Sequence, residues 1–230
     1  MPFLIYLRNV AQFFVFLHRM KKITSLLIGI ILGGNILAQY DGMKPAPDQN
    51  AVKTKLEKAA TETNDIFAEF VQEKNLSVLE EVITSRGTFH FKKENKVRWS
   101  YTSPFKYLIV INGQKMYIND EGKQKEYDVK SNKMFREINK VVVGTVQGNL
   151  FKNADYKSEF MENPGFYLVK MVPIDVKMRE FLQEIHLYFD KKDLTVSRLK
   201  MMEQGGDFTI VNFVGKKVNA GISETQFDFR

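Results

Sequence analysis

Between Thr88 and Asp120 the chain alternates bulky apolar and polar side chains in four short runs, TFHFKKENKVRWSYTSPFKYLIVINGQKMYIND. Successive strand residues point to opposite faces, so a period of two predicts strands. Phe89, Phe91 and Lys93 fall on one side of the first run, and Val97, Trp99 and Tyr101 on one side of the second. Thr88, His90, Lys92, Arg98, Ser100 and Thr102 take the other side. Pro104 cannot donate to a ladder and marks a break. Tyr107 to Ile111 reads as a short strand buried on both faces. Asn112-Gly113 predicts a two-residue hairpin turn, because both positions tolerate positive φ, and Met116 to Asn119 pairs back.

The same reading extends outward. Asp48 is a candidate N-cap for a helix over Gln49 to Asn64, with Val52, Leu56, Ala59, Ala60 and Thr63 on one narrow stripe. Ile66 to Lys74 predicts a strand, Val82 to Lys93 another with a kink at Gly87, and Lys123 to Val129 a polar edge strand. From Asn132 to about Val143 the period changes to that of a helix. Met134, Phe135, Ile138 and Val142 share its apolar face, and Gly122 and Gly144 flank it, which predicts a lid over the sheet. Tyr156–Met161, Phe166–Val172, Glu184–Phe189, Leu194–Glu203 and Phe208–Lys216 follow as strands. Roughly ten short strands without a βαβ rhythm predict an α+β fold: a curved, incompletely closed antiparallel β half-barrel with covering helices.

The N-terminus carries a different signal. Lys21-Lys22, the apolar run Ile23 to Leu37 and the small residue Ala38 have the order of a secretory signal peptide. Residues 1–19 then read as an extension upstream of the true start at Met20, 20–38 as the signal, 39–48 as a Pro- and Gly-bearing linker, and 49–230 as a single domain.

Composition narrows the function classes. The chain of 230 residues has a formal net charge of +7. Of its 34 Lys and Arg, four lie within residues 1–39, leaving 30 against 27 acidic side chains. Such balance gives no electrostatic footprint for nucleic acid. There is no cysteine, which excludes a disulfide framework, a thiolate metal site, a cysteine nucleophile and a lipid-modified N-terminal Cys. His90 and His186 are the histidines beyond the signal, and the reading gives neither a neighbouring carboxylate or second His at metal-ligand spacing. No nucleophile elbow, phosphate loop or dinucleotide fingerprint occurs, so no catalytic residue, metal ligand or cofactor is expected. What stands out is an aromatic fraction of 13%, with 19 Phe and 9 Tyr. Phe89, Phe91, Val97, Trp99 and Tyr101 on one side of a curled sheet form either ordinary core or the wall of an apolar cavity; the pattern alone leaves both open.

A strand ending in basic residues, a short turn, Arg98-Trp99-Ser100-Tyr101, a Ser-Pro break, an apolar strand and Asn112-Gly113 together resemble the periplasmic outer-membrane lipoprotein carrier proteins (LolA-like). The resemblance runs from about Leu56 to Phe229 and includes Phe70-Val71-Gln72. Where that family has Arg-Pro after the first core strand, this chain has Lys93-Glu94, which keeps the charge and loses the proline. The resemblance implies a periplasmic, monomeric, non-enzymatic chaperone. It would bind lipoprotein acyl chains against Phe89, Phe91, Val97, Trp99 and Tyr101, with Lys93 at the rim and Met134, Phe135, Ile138 and Val142 as the lid. It further implies an inner-membrane lipoprotein-releasing ABC exporter as donor and leaves an outer-membrane acceptor open. An envelope enzyme acting on lipids or glycans, and a lipoprotein-sensing regulator of similar half-barrel fold, are the alternatives.

Overall fold

A computed structural model describes residues 38–77, 81–130, 143–144 and 155–229. Strand β1 (Lys44–Pro45) precedes helix α1 (Gln49–Glu62). Strands β2 (Asp65–Leu76), β3 (Glu81–Lys92), β4 (Lys96–Ser103), β5 (Tyr107–Asn112), β6 (Lys115–Asp120) and β7 (Lys123–Asp128) form a meander. Then come β8 (Tyr156–Glu162), β9 (Phe166–Pro173), the short helix α2 (Val176–Arg179), β10 (Glu184–Asp190), β11 (Val196–Met202) and β12 (Phe208–Val218). Among the described residues no helix is long and apolar enough to cross a membrane.

The twelve strands among the described residues join one sheet in the order β1, β8, β9, β10, β11, β12, β2, β3, β4, β5, β6, β7. Neighbours are antiparallel throughout. The sheet is open, so β1 and β7 are its edges. Both are protected as edges must be: β1 has two residues including Pro45, and β7 is almost wholly exposed and polar. The two long meanders meet where β12 pairs with β2, opposing Phe213 to Phe70.

Irregularities curl the sheet. Register slips at Arg86/Gly87, Tyr188/Phe189 and Val214/Lys217, and each bulge adds local twist. Gly87 is required at the first. A Cβ there would lie 2.0 Å from the Ser100 carbonyl oxygen and 2.7 Å from Phe70 Cζ. The phenyl ring of Phe70 fills the space a side chain would have taken.

The sheet buries its concave face under α1. Asp48 accepts from the Ala51 amide at 2.9 Å and starts the helix; Val52, Leu56 and Ala60 are its buried stripe. The convex face is strapped by both ends of the described chain. After β12, Asp65 accepts the amides of Ala220 and Gly221 at 2.8 and 3.1 Å. The tail then crosses to β3–β6, where Lys92 meets Glu224 at 2.9 Å and Phe229 stacks on Tyr117 at 4.5 Å. At the other end, the stretch read as a linker is packed. Lys44 and Pro45 pair with Glu162 and Met161. Tyr40 is buried between Phe166, Tyr188 and the Arg198 guanidinium, which lies 3.8 Å from its ring. Partners so distant in sequence are invisible to local composition.

Candidate functional site

Register pairs Phe89 with Trp99 and Phe91 with Val97 across β3 and β4. Curvature then brings Phe70 of β2 and Phe213 of β12 against them. The Phe89 and Trp99 rings lie 5.2 Å apart, Phe70 and Trp99 5.5 Å, and Phe89 and Phe213 5.5 Å. Most of these contacts are edge to face, the arrangement ring quadrupoles favour.

Between this cluster and α1 lies a cavity of about 70 Å³. Leu56 and Ala60 of α1 form its roof, and Phe89, Trp99, Leu187 and Phe213 much of its floor. At roughly 10–15 Å³ of such space per water, it has room for a handful of water molecules. The side chains themselves occupy most of the concave face.

Phe89 and Trp99 are therefore wall residues. Phe91 and Val97 are fully buried beside the cavity as core. Tyr101 lies farther along the same face, where the surface turns polar. Its hydroxyl donates to Gln72 Oε1 at 2.9 Å, and burial, then the neighbouring Tyr107, pushes its phenol far above the ordinary range. Buried Lys74, beyond Gln72, pairs with Glu203. Lys93 leaves the strand end and sends its ammonium to the Thr61 carbonyl oxygen at 2.6 Å, in the last turn of α1. That position suits a cation, since the last carbonyls of a helix are unsatisfied and carry the negative end of its dipole.

The expected lid residues Met134, Phe135, Ile138 and Val142 lie outside the described residues. Within them, α1 covers the cavity, and Val143 is buried in the core. Sequence reasoning missed the far wall: Leu187 and Phe189 of β10, Leu194 to Val196, Leu199 of β11, and Phe213 and Lys216 of β12. The alternation Ile185, Leu187, Phe189 was a usable sign of a buried face, but nothing local joined it to Phe89.

One reading is corrected. His186 has a carboxylate partner, with Nε2 2.7 Å from Glu184 Oε2. Residues two apart on a strand share a face. Burial still holds the imidazole below its ordinary value against the pull of Glu184. On the convex face His90 packs edge-on to Phe67.

Comparison with known proteins places these features in context. The family described as Outer membrane lipoprotein carrier protein LolA matches residues 61–230. Outer-membrane lipoprotein carrier proteins of Cupriavidus taiwanensis and Cupriavidus necator are each 24% identical to this chain over 149 residues. The match covers 64% of this chain and 66% of theirs, just under two thirds of the relatives' length. A LolA superfamily protein of Nitrosomonas europaea has a solved structure that aligns at a TM-score of 0.43 and 10% identity. That alignment covers 80% of this chain and 98% of the other.

Proposed function

The chain belongs to the outer membrane lipoprotein carrier protein LolA family, and from that premise we propose that it binds the acyl chains of lipoproteins under α1 and ferries them across the periplasm to the outer membrane. The observation that carries this reading is the apolar cavity roofed by Leu56 and Ala60 and floored by Phe89, Trp99, Leu187 and Phe213.

The physics of such a carrier is a competition. Burying an acyl chain is worth about 0.8 kcal/mol per CH₂. The resting cavity is far too small for a chain of a dozen methylenes, so loading must part α1 from the aromatic floor. Closure restores the contacts of Leu56 and Ala60 with that floor. Acyl burial and self-closure thus oppose each other, which permits tight holding and still allows release. No covalent step is needed. Export fits the same role: cleavage after Ala38 would free the described domain, an inner-membrane ABC exporter would supply cargo, and an outer-membrane acceptor would receive it.

Trp99 is the only tryptophan and sits on the cavity wall, so its emission is a direct reporter. Titration with a diacylated lipopeptide should shift or quench it saturably, and lipoproteins should co-purify from envelope extracts by mass spectrometry. An emission spectrum that ignores every acyl ligand would overturn the reading.

A further inference from the structure

Besides Thr195, two hydrogen-bond donors stand on the wall of this mostly apolar cavity, and burial of acyl methylenes uses neither. One is the Trp99 indole. Its Nε1 is buried with no hydrogen-bond partner among the described residues. An unmatched buried donor is costly, and a ligand oxygen accepting from it would relieve that cost.

The other is Lys216, whose side chain is 12% exposed. Its ammonium donates to the Asp193 carboxylate at 3.0 Å, Thr195 Oγ1 at 2.8 Å, Ser197 Oγ at 3.1 Å and the Thr195 carbonyl oxygen at 3.4 Å. Thr195 and Ser197 are buried. Asp193 in turn accepts from the Thr195 amide at 2.9 Å and its hydroxyl at 2.7 Å. Burial alone would raise the Asp193 carboxyl, but the hydrogen bonds from Thr195 and the Lys216 ammonium hold it below its usual value. The Asp193 carboxylate is thus matched by the Lys216 ion pair, whose donors are fixed in direction.

Such a wall treats head groups unequally. A carboxylate entering the cavity would lose water beside an ammonium already engaged by Asp193 at the solvent side, with no second cation among the described lining residues. An ester or amide carbonyl brings an acceptor without a charge. Lys216 can exchange its longest contact, with the Thr195 carbonyl oxygen, for that oxygen, and Trp99 can donate to another.

We propose that the cavity selects its ligand by head group, taking acyl chains whose carbonyl is esterified or amidated and rejecting free fatty acids, with Trp99 Nε1 and Lys216 Nζ as the donors. The inference rests on the acyl-binding reading and narrows its ligand to neutral acyl esters and amides. A diacylglyceryl-modified peptide and a membrane glycerolipid share that chemistry.

The test is calorimetric titration of the purified protein with dodecanoate and with methyl dodecanoate at a pH where the acid is ionised. The ester should bind about tenfold or more tightly, a difference of about 1.4 kcal/mol. Asp193→Asn keeps the shape and removes the anion, so dodecanoate should gain about tenfold while the ester changes little. General damage would weaken both ligands. Trp99→Phe should weaken the ester by a few-fold, as loss of one hydrogen bond does. Equal wild-type affinity for acid and ester overturns the head-group selection and leaves acyl binding standing; this comparison needs no variant. Failure of both ligands to bind would remove the acyl reading itself. Parallel titrations with a diacylglyceryl-cysteinyl peptide and with dioctanoylglycerol separate the two natural sources.

Discussion

Lys93 ties the end of β3 to the roof of the cavity: its ammonium donates to the carbonyl oxygen of Thr61 at 2.6 Å, and its own amide donates to Asn64 at 2.9 Å. The family's Arg-Pro is replaced here, yet a cation still reaches the C-terminal turn of the covering helix. Lys93→Met should loosen α1 without touching the ladder. Hydrophobic-dye binding and the rate of acyl uptake should rise while the far-UV circular dichroism stays constant, and Lys93→Arg should behave like wild type. Unchanged uptake in the Met variant would show that the contact does not hold the roof closed.

Leu56 is the roof residue that matters most for volume, being 1% exposed against the aromatic floor. Leu→Ala changes at such sites cost about 2–5 kcal/mol, depending on how far the site collapses. In Leu56→Ala the free protein should lose stability toward the low end of that range, since a cavity already adjoins the site. The acyl complex should lose less, because ligand methylenes refill the space. Affinity should therefore rise by about tenfold, the worth of two methylenes. Chemical denaturation with and without ligand measures both quantities. Parallel losses in the two states would mean the ligand does not lie under Leu56.

The concave aromatic set was legible because it is built by local hairpins. Once the short turn between Lys92 and Lys96 pairs β3 with β4 and the period is two, Phe89 and Phe91 must share a face with Val97, Trp99 and Tyr101. The far wall was not legible, because alternation in β10 and β12 says which face is buried but not which strand lies across from it. Only the β12–β2 pairing sets Phe213 opposite Phe70. The same limit hid the packing of Tyr40, whose partners Phe166, Tyr188 and Arg198 come from three later strands. The narrow stripe of α1 was read correctly as a face for a sheet. The second expected cover, Met134–Val142, lies outside the described residues.

Gly87 offers a test of the curl itself. An added Cβ would meet the backbone of Ser100 at 2.0 Å, which no side-chain rotation relieves. Gly87→Ala should therefore destabilise by about 1–3 kcal/mol or more, as overpacking does. Gly165→Ala is the control: the nearest atom there, Asn163 Oδ1, is 3.9 Å away, so its denaturation midpoint should hardly move. Equal tolerance of both substitutions would show that β3 and β4 can separate at the bulge without penalty.

His90 gives a pH dependence. Burial, and secondarily Arg98, hold its imidazole below the ordinary 6.5; its Nδ1 is buried without a partner among the described residues. Below about pH 6.5 the unfolded chain takes up a proton that the folded protein resists. Stability should therefore fall as pH drops through 6.5 and level off once the folded imidazole also titrates. His186 acts in the same direction. In His90→Gln the decline in melting temperature between about pH 7 and 5 should be shallower than in wild type. An identical slope would place the acid sensitivity elsewhere.

The C-terminal strap separates apolar from ionic anchoring on one short segment. Glu224 meets both Lys92 and Lys96, and these contacts pull its carboxyl below the usual value. It is 59% exposed, however, and water and salt screen such pairs strongly. Three residues on, Phe227 is 1% exposed and has no such competition from solvent. Phe→Ala at a buried position costs about 3–5 kcal/mol, although a terminal segment can fray and reduce that figure. Phe227→Ala should thus lower the denaturation midpoint clearly and make the last residues protease-sensitive. Glu224→Gln should shift the midpoint barely, and less still at high salt. The reverse order of effects would mean that the strap is held by charge, with Phe227 buried only as a consequence.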